Sequence, residues 1–323
     1  MKLTDKKVLT TLALGAAAAA TGAAIAACIT KMLVRTALDR EQPKFIEKSG
    51  IGISGAPDNE EFELVCGEAA QNLRDTEHEY VKIVNSEGIE LVGHFFPCDN
   101  AKRVIIAFHG WRSSWCKDFG LIADFWHNSG SSVLYVEQRA QNNSGGDYIG
   151  FGLTERHDCI DWINWTMCRC GKNIPIYLAG VSMGATTVLM ASGSPLPPNV
   201  HGIMADCGFT SPKEIWKHVA NKNLHIAYGF RSLLADSMCK KKLNVRSGDY
   251  STLEALSATD VPVLFVHGTD DHCVPIEMTY KNYEACASPK RLLVVPGAEH
   301  AMSYYVDSRT YEKAVLDFWK DFD

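Results

Sequence analysis

One pentapeptide constrains this chain more than any other stretch: Gly180-Val181-Ser182-Met183-Gly184. Ahead of it, Ile174-Pro175-Ile176-Tyr177-Leu178-Ala179 is a short apolar run that reads as a buried strand. Behind it, Ala185-Thr186-Thr187-Val188-Leu189-Met190-Ala191 reads as a helix with an apolar face. Gly-x-Ser-x-Gly between a strand and a helix predicts a turn too tight for side chains at positions 180 and 184. The serine is then held in a strained conformation, with its hydroxyl exposed above a sheet. The plain alternative is a glycine-rich surface turn, because short motifs also occur by chance. The strand-turn-helix context argues against that alternative, and so do three further segments.

A serine hydroxyl is a poor nucleophile at neutral pH and needs a base, which in turn needs an orienting acid. The usual chain order for this motif is serine, acid, histidine. Downstream, Val261-Pro262-Val263-Leu264-Phe265-Val266-His267-Gly268 is another buried-strand pattern, and it runs into Thr269-Asp270-Asp271-His272-Cys273-Val274-Pro275. A carboxylate there, Asp270 or Asp271, sits at a strand's C-terminal end and can face the serine. Arg291–Pro296 reads as a further strand, followed by Gly297-Ala298-Glu299-His300. That places His300 on a loop at the same sheet edge, in the expected order. The oxyanion of acyl transfer needs backbone N–H donors, one from the residue after the nucleophile and one from an earlier strand-to-helix loop. These are expected to be Met183 and, after the strand Arg103–Phe108 and the close-approaching Gly110, Trp111. His109 precedes the serine and is read as structural, its ring bonded to nearby backbone.

With these residues in place the chain resembles the alpha/beta-hydrolase superfamily, and more narrowly membrane-anchored bacterial serine hydrolases related to the BAAT and dienelactone-hydrolase groups. The segments that carry the resemblance are Phe108-His109-Gly110-Trp111, Glu137-Gln138-Arg139-Ala140, Ser144-Gly145-Gly146-Asp147-Tyr148, the serine pentapeptide, His267-Gly268 with Asp271 and Val274-Pro275, and Gly297-Ala298-Glu299-His300. They span roughly residues 80–320 in order. The resemblance implies Asp271 as the acid, since relatives place it three residues before the Val-Pro pair. One departure stands out. The arginine segment usually reads Arg-x-His-Gly-x-Ser, whereas here it is Arg139-Ala140-Gln141-Asn142-Asn143-Ser144. That loop borders the active site in relatives, so its role here is open.

The order of elements agrees with an α/β chain. Tyr80–Val84 and Ile89–Phe96, separated by Asn85-Ser86-Glu87-Gly88, read as an antiparallel hairpin. Strand patterns at Val104–Phe108, Val133–Val136, Ile174–Ala179 and His201–Ala205 then alternate with helical ones, which predicts a mostly parallel, doubly wound sheet. The helix over 155–169 is expected to take Thr154 as its N-cap, and Ser308–Phe322 to bury Ala314, Val315, Phe318 and Trp319. Between Asp206 and Val261 the alternation stops. Trp216, Val219, Leu224, Ile226, Tyr228, Phe230, Leu233, Leu234 and Met238 there suggest short helices that hang over the strand ends, where ligands bind in open α/β sheets. The expected division is an N-terminal anchor or signal segment over 1–35, a linker and lead-in over 36–78, the first part of a hydrolase core over 79–207, a small helical cap over 208–258, and the rest of the core over 259–323.

Val8 through Thr30 carries no charge, and 23 helical residues span about 35 Å, enough for a bilayer's hydrocarbon core. A signal-anchor helix is the first reading, because Met32-Leu33-Val34 continues the apolar run and relatives carry an anchor here. A cleaved signal peptide ending near Ala24 or Ala26 and a lipoprotein signal at Ile25-Ala26-Ala27-Cys28 are the others. Lys2, Lys6 and Lys7 on one flank and Lys31 and Arg35 on the other leave the side of the membrane undecided. No catalytic element is expected upstream of Val81, so residues 1–35 should be separable from the enzyme.

A formal charge of −6, with Lys240-Lys241-Lys242 as the one compact basic cluster, argues against nucleic-acid binding. Eleven scattered cysteines lack the paired spacing of a zinc site or a disulfide framework and read as free thiols. Gly145-Gly146 with Gly150 and Gly152 has the wrong spacing for a phosphate loop. Asp270-Asp271-His272 is a poor metal set, because adjacent residues rarely point at one ion. The expected chemistry is therefore hydrolysis of carboxylic esters through an acyl-enzyme, by Ser182, His300 and Asp271, with no metal or organic cofactor. An acyl-CoA thioesterase, an acyltransferase and a small-peptide peptidase would use the same residues. A non-catalytic tethered binding protein is disfavoured because every triad position is filled.

Overall fold

The computed structural model describes the backbone of residues 3–43 and 60–323, with side chains from Thr21 onward in those ranges except that of Phe230, one of the expected cap residues. The sequence-expected breakers Gly50, Gly52, Gly55 and Pro57 lie outside those residues. The first elements are α1 (Leu3–Leu38), α2 (Glu60–Asp75), β1 (Glu79–Val84), β2 (Glu90–Phe96), β3 (Arg103–Phe108), α3 (Trp115–Asn128) and β4 (Ser131–Glu137). They are followed by α4 (Glu155–Cys170), β5 (Ile176–Val181), α5 (Met183–Ala191), β6 (Val200–Asp206), α6 (Pro212–His218), α7 (Ser232–Leu243) and α8 (Thr252–Ala258). β7 (Val263–Gly268), α9 (Ile276–Ala285), β8 (Lys290–Val295), α10 (Ser303–Val306) and α11 (Ser308–Phe322) complete the chain.

Among the described residues eight strands form one sheet in the order β1-β2-β4-β3-β5-β6-β7-β8. β2 runs antiparallel to both of its neighbours, and every pairing from β4 to β8 is parallel. Successive strand residues point to opposite faces. Ile105, Ala107, Tyr135, Tyr177, Ala179 and Val266 meet α3 and α11 on one face. Val104, Ile106, Phe108, Leu134, Leu178 and Phe265 meet α4 and α5 on the other. Both faces are therefore buried, which is why the central strands read as continuous apolar runs. In β2, Gly93 makes room for Trp162 of α4, whose ring would lie 2.9 Å from an added Cβ. Trp162 is fully buried, and replacing it by alanine should cost about 3–5 kcal/mol.

The structure differs from the sequence reading in three places. Thr154 does not cap α4: its backbone is helical and its side chain makes no cap bond. The amides a cap would hold are already used, with the Arg156 N–H on the Gly152 carbonyl at 3.2 Å and the His157 N–H on the Thr154 carbonyl at 3.1 Å. The Thr154 hydroxyl donates to Glu155, which also accepts from the Gly150 and Gly152 N–H groups at 2.6 and 2.9 Å. Those same two glycine amides therefore cannot cradle a phosphate. Secondly, α8 lies within the expected cap span yet packs on α5 and α9, with Ala255 and Leu256 buried. The segments that overhang the sheet are α6, a π-helical turn at Val219–Asn223, a 3-10 turn at Gly229–Arg231, and α7.

The third difference concerns the N-terminus. α1 is one helix of 36 residues, about 54 Å long, and runs past the expected boundary at 35 into the expected linker. Side chains 21–25 along it are exposed or nearly so, but Thr30, Val34, Thr36 and Leu38 are buried against the rest of the chain. Arg40 donates to the carbonyls of Asn142 at 2.7 Å and of Ser144. Residues 30–40 are thus packed and pinned, and the boundary at 35 cuts through a docked element.

Candidate active site

The pentapeptide joins the C-terminal end of β5 to the first turn of α5. Ser182 has φ 55 and ψ −114, a strained left-handed conformation for a residue with a side chain. The two glycines are forced by contact. A Cβ on Gly184 would lie 1.8 Å from the Phe108 carbonyl oxygen, and one on Gly180 would lie 2.3 Å from the Gly184 carbonyl carbon. The Ser182 N–H is held by the Asp206 carbonyl at 2.9 Å.

Ser182 Oγ lies 3.0 Å from His300 Nε2, and His300 Nδ1 lies 2.7 Å from Asp271 Oδ2. A carboxylate can only accept, so Nδ1 carries the proton and Nε2 offers its lone pair to the hydroxyl. Asp271 is buried, and its other oxygen accepts from the Cys273 and Val274 N–H groups at 2.9 and 2.8 Å. Asp270 is exposed and accepts from the Thr269 hydroxyl instead. Burial pushes the Asp271 carboxyl up, but the charge of His300 and the hydrogen bonds from His267 and His300 outweigh it and leave the group well below the usual carboxylate range. Burial likewise opposes protonation of His300, and Cys207, Cys273 and Asp271 act against that, with a net rise well above the ordinary imidazole value. The Cys207 thiol is itself pushed up to about 12 by burial and stays neutral at physiological pH. With Cys207 neutral, the ionised Asp271 carboxylate 2.7 Å from Nδ1 is a charge that raises His300.

His267 has no role in the sequence reading beyond a strand end and a segment of the resemblance. Its Nε2 lies 3.2 Å from Asp271 Oδ2 and 2.9 Å from the Val274 carbonyl, so this nitrogen donates, while Nδ1 accepts from the Thr279 hydroxyl at 2.7 Å. A donor four residues before the acid, on the preceding strand end, was the signal available. Cys207, Asp271 and His300 place ligand-type atoms within 4.8 Å of one another. Both ring nitrogens of His300 are already engaged by Asp271 and Ser182, so the group offers an ion no free imidazole.

The loop after β3 runs beside this chain of bonds. The His109 ring is buried; Nδ1 donates to the Gly110 carbonyl at 2.7 Å and Nε2 accepts from the Gln138 N–H at 3.1 Å. Burial lowers its pKa, so it stays a neutral brace. The Gly110 N–H donates to Asp118 of α3 at 2.6 Å, and the Arg112 N–H to Gln141. Asn142 donates to the Ser113 carbonyl at 3.0 Å. The segment that departs from the family pattern is therefore a support for this loop. Between the two occupied amides lies that of Trp111, and Met183 is the first residue of α5, where a helix leaves its N–H groups unpartnered. Ser182 and His300 open on a cavity of about 380 Å³ with apolar walls that include Val34, Phe151, Phe209, Trp216 and Val219.

No protein-family model matches the sequence. The chain is 28% identical over 237 residues to the uncharacterized protein YqkD of Bacillus subtilis, covering 73% of this chain and 77% of that one. It is 30% identical over 190 residues to human protein ABHD12B, covering 54% of this chain and 48% of that one. Among solved structures it is similar to the esterase Pf2001 of Pyrococcus furiosus, with a TM-score of 0.63, 21% identity, and coverage of 78% and 93%. The alpha/beta hydrolase GrgF of a Penicillium species gives a TM-score of 0.62 at 17% identity, with coverage of 76% and 99%. This chain has the alpha/beta-hydrolase fold.

Proposed function

We propose that the chain is a serine hydrolase that cleaves carboxylic esters through an acyl-enzyme. Ser182 Oγ attacks the ester carbonyl while His300 Nε2 takes its proton, and Asp271 stabilises the imidazolium. The negative oxygen that forms is held by the N–H groups of Trp111 and Met183, each donor being worth roughly 3 kcal/mol. His300 then returns the proton to the departing alkoxide, and a water attacks the acyl-serine by the same route. The observation that carries this reading is the continuous bond chain from Asp271 through His300 to Ser182, set at the floor of an apolar cavity. The apolar walls favour an acyl chain over a charged or peptidic group. The overhanging helices α6 and α7, with the turns between them, serve as the cap that shapes the pocket. The solved relatives named as an esterase and a hydrolase agree with this reading.

The uncharged run Val8–Thr30 of α1, whose described side chains Thr21–Ile25 are exposed, anchors the enzyme to a membrane, single-pass, on either side. Residues Thr21–Leu38 of the helix have a mean hydropathy of 1.3, but Thr30–Leu38 are docked on the enzyme, so the membrane-embedded length lies ahead of them. Full-length protein should then pellet with membranes and resist salt extraction. The activity is tested on purified full-length protein in detergent, comparing p-nitrophenyl esters, acyl-CoA and aminoacyl-nitroanilides. Fastest turnover on esters supports the proposal. Preference for acyl-CoA or nitroanilide keeps the triad and changes the substrate, and no turnover on any of them refutes the proposal.

A further inference from the structure

A helix leaves its last four carbonyls without partners inside the helix. In α1 these belong to Arg35, Thr36, Ala37 and Leu38. The Arg35 carbonyl accepts locally from the Asp39 N–H at 2.9 Å. The other three are taken by residues more than 70 positions away. The Thr36 carbonyl accepts from Arg112 Nη2 at 2.8 Å and Nε at 3.2 Å. The Ala37 carbonyl accepts from the Trp111 indole at 2.9 Å, and the Leu38 carbonyl from the Ile149 N–H at 2.7 Å. Arg112 reaches further, to the carbonyls of Arg40 at 3.0 Å and of Asp39. The same stretch gives Leu33, Val34 and Ala37 to the wall of the cavity.

Trp111 and Arg112 are the loop on which the proposed oxyanion donor sits. Arg112 has φ 53, a left-handed conformation that a residue with a side chain keeps only when its surroundings hold it there. Here the surroundings are Gln141 on the Arg112 N–H and the carbonyls of α1 on its guanidinium, which alone fix the side chain. A guanidinium is a planar fork with five donors and can span Thr36, Asp39 and Arg40 together, which an ammonium on a flexible stem does not reproduce. We infer that the docked end of α1 fixes the oxyanion loop, with Arg112 as the positioning residue, so that residues 30–40 are part of the active site. This rests on the hydrolase reading above. Without the clamp the loop relaxes from φ 53 and the Trp111 N–H turns away from the developing charge, while the Asp271–His300–Ser182 bonds stay as they are.

The test uses full-length Arg112→Lys and Arg112→Ala in detergent on the best p-nitrophenyl ester. A misplaced oxyanion donor should lower kcat on the order of 10²-fold in both variants. KM should stay near the wild-type value, because the lost interaction exists only in the transition state. An alkyl boronic acid, whose serine adduct mimics the tetrahedral intermediate, should lose affinity in step with kcat/KM. The midpoint of the pH–rate rise should not move, because the base is untouched. If Arg112→Ala loses its fold by melting curve, Arg112→Lys, which keeps the charge and stem, carries the test alone. Wild-type kcat and boronate affinity in Arg112→Lys would overturn the inference, as would a loss confined to KM. A wild type that neither hydrolyses esters nor takes up a fluorophosphonate would instead mark failure of the hydrolase reading.

Discussion

Replacing Asp271 by asparagine separates the two adjacent carboxylates and tests how the imidazole is held. The wild-type carboxylate accepts two backbone N–H bonds on Oδ1 and one from His300 on Oδ2, with His267 Nε2 also 3.2 Å from Oδ2. An asparagine keeps its oxygen on the two backbone donors and presents its NH₂ to the two rings. That NH₂ can satisfy His300 only if Nδ1 becomes the acceptor, which moves the ring proton to Nε2 and points it at Ser182. The base is then lost. The expected drop in kcat is about 10⁴-fold, equivalent to roughly 5.4 kcal/mol at 1.36 kcal/mol per tenfold. His267 also loses its carboxylate acceptor but keeps the Val274 carbonyl, so a stability loss of about 1–3 kcal/mol is expected from these buried groups. Because the Asp271 pKa is lowered on folding, its contribution to stability is full above the unfolded value near ~3.9 and fades as pH falls through the folded value. The melting-temperature gap between wild type and variant should therefore narrow only in strong acid. Asp270→Asn removes an exposed group and should cost at most about tenfold in kcat, through the loop alone. Single-turnover hydrolysis of a p-nitrophenyl ester measures both variants. The reverse ranking would refute the assignment of the acid.

Turnover should rise with pH as His300 loses its proton. Because its pKa is raised above the ordinary value, the midpoint should lie above ~6.5, and a flat profile from pH 5 to 9 under rate-limiting chemistry would tell against a histidine base. Deleting residues 1–20 keeps the bonds made by residues 26–40 and should leave kcat unchanged. Deleting residues 1–40 strips the acceptors from Trp111 and Arg112 and should lower kcat on the order of 10²-fold, as read by kinetics on the two purified fragments.

The sheet and the chain of bonds at its edge were legible because both rest on local rules. Apolar runs ending at Ala179, Gly268 and Pro296 mark strands whose C-terminal ends share one edge, and the motif order then points to Asp271 and His300. The two glycines of the pentapeptide announce a turn whose Cβ positions meet backbone within 2.3 Å. The docking of α1 was not legible, for a physical reason. An alanine-rich apolar helix has the same composition whether lipid or protein covers it, and the groups that take its last carbonyls come from Trp111, Arg112 and Ile149. Thr154 fails as a cap for a similar reason. Propensity favours a hydroxyl there, but backbone carbonyls already hold the Arg156 and His157 N–H groups, and the Thr154 hydroxyl donates to the buried Glu155 carboxylate instead. His267 was hidden in a run of strand residues, where alternation says which face a side chain takes and nothing about its partner.

The central claim is that Ser182 is a nucleophile activated by His300. It is tested most directly by treating full-length protein with a fluorophosphonate and identifying the modified residue by peptide mass spectrometry. The account predicts one adduct, on the hydroxyl of Ser182, absent from Ser182→Ala and slowed by several orders of magnitude in His300→Gln. An adduct on another residue, or labelling that persists in Ser182→Ala, would contradict it.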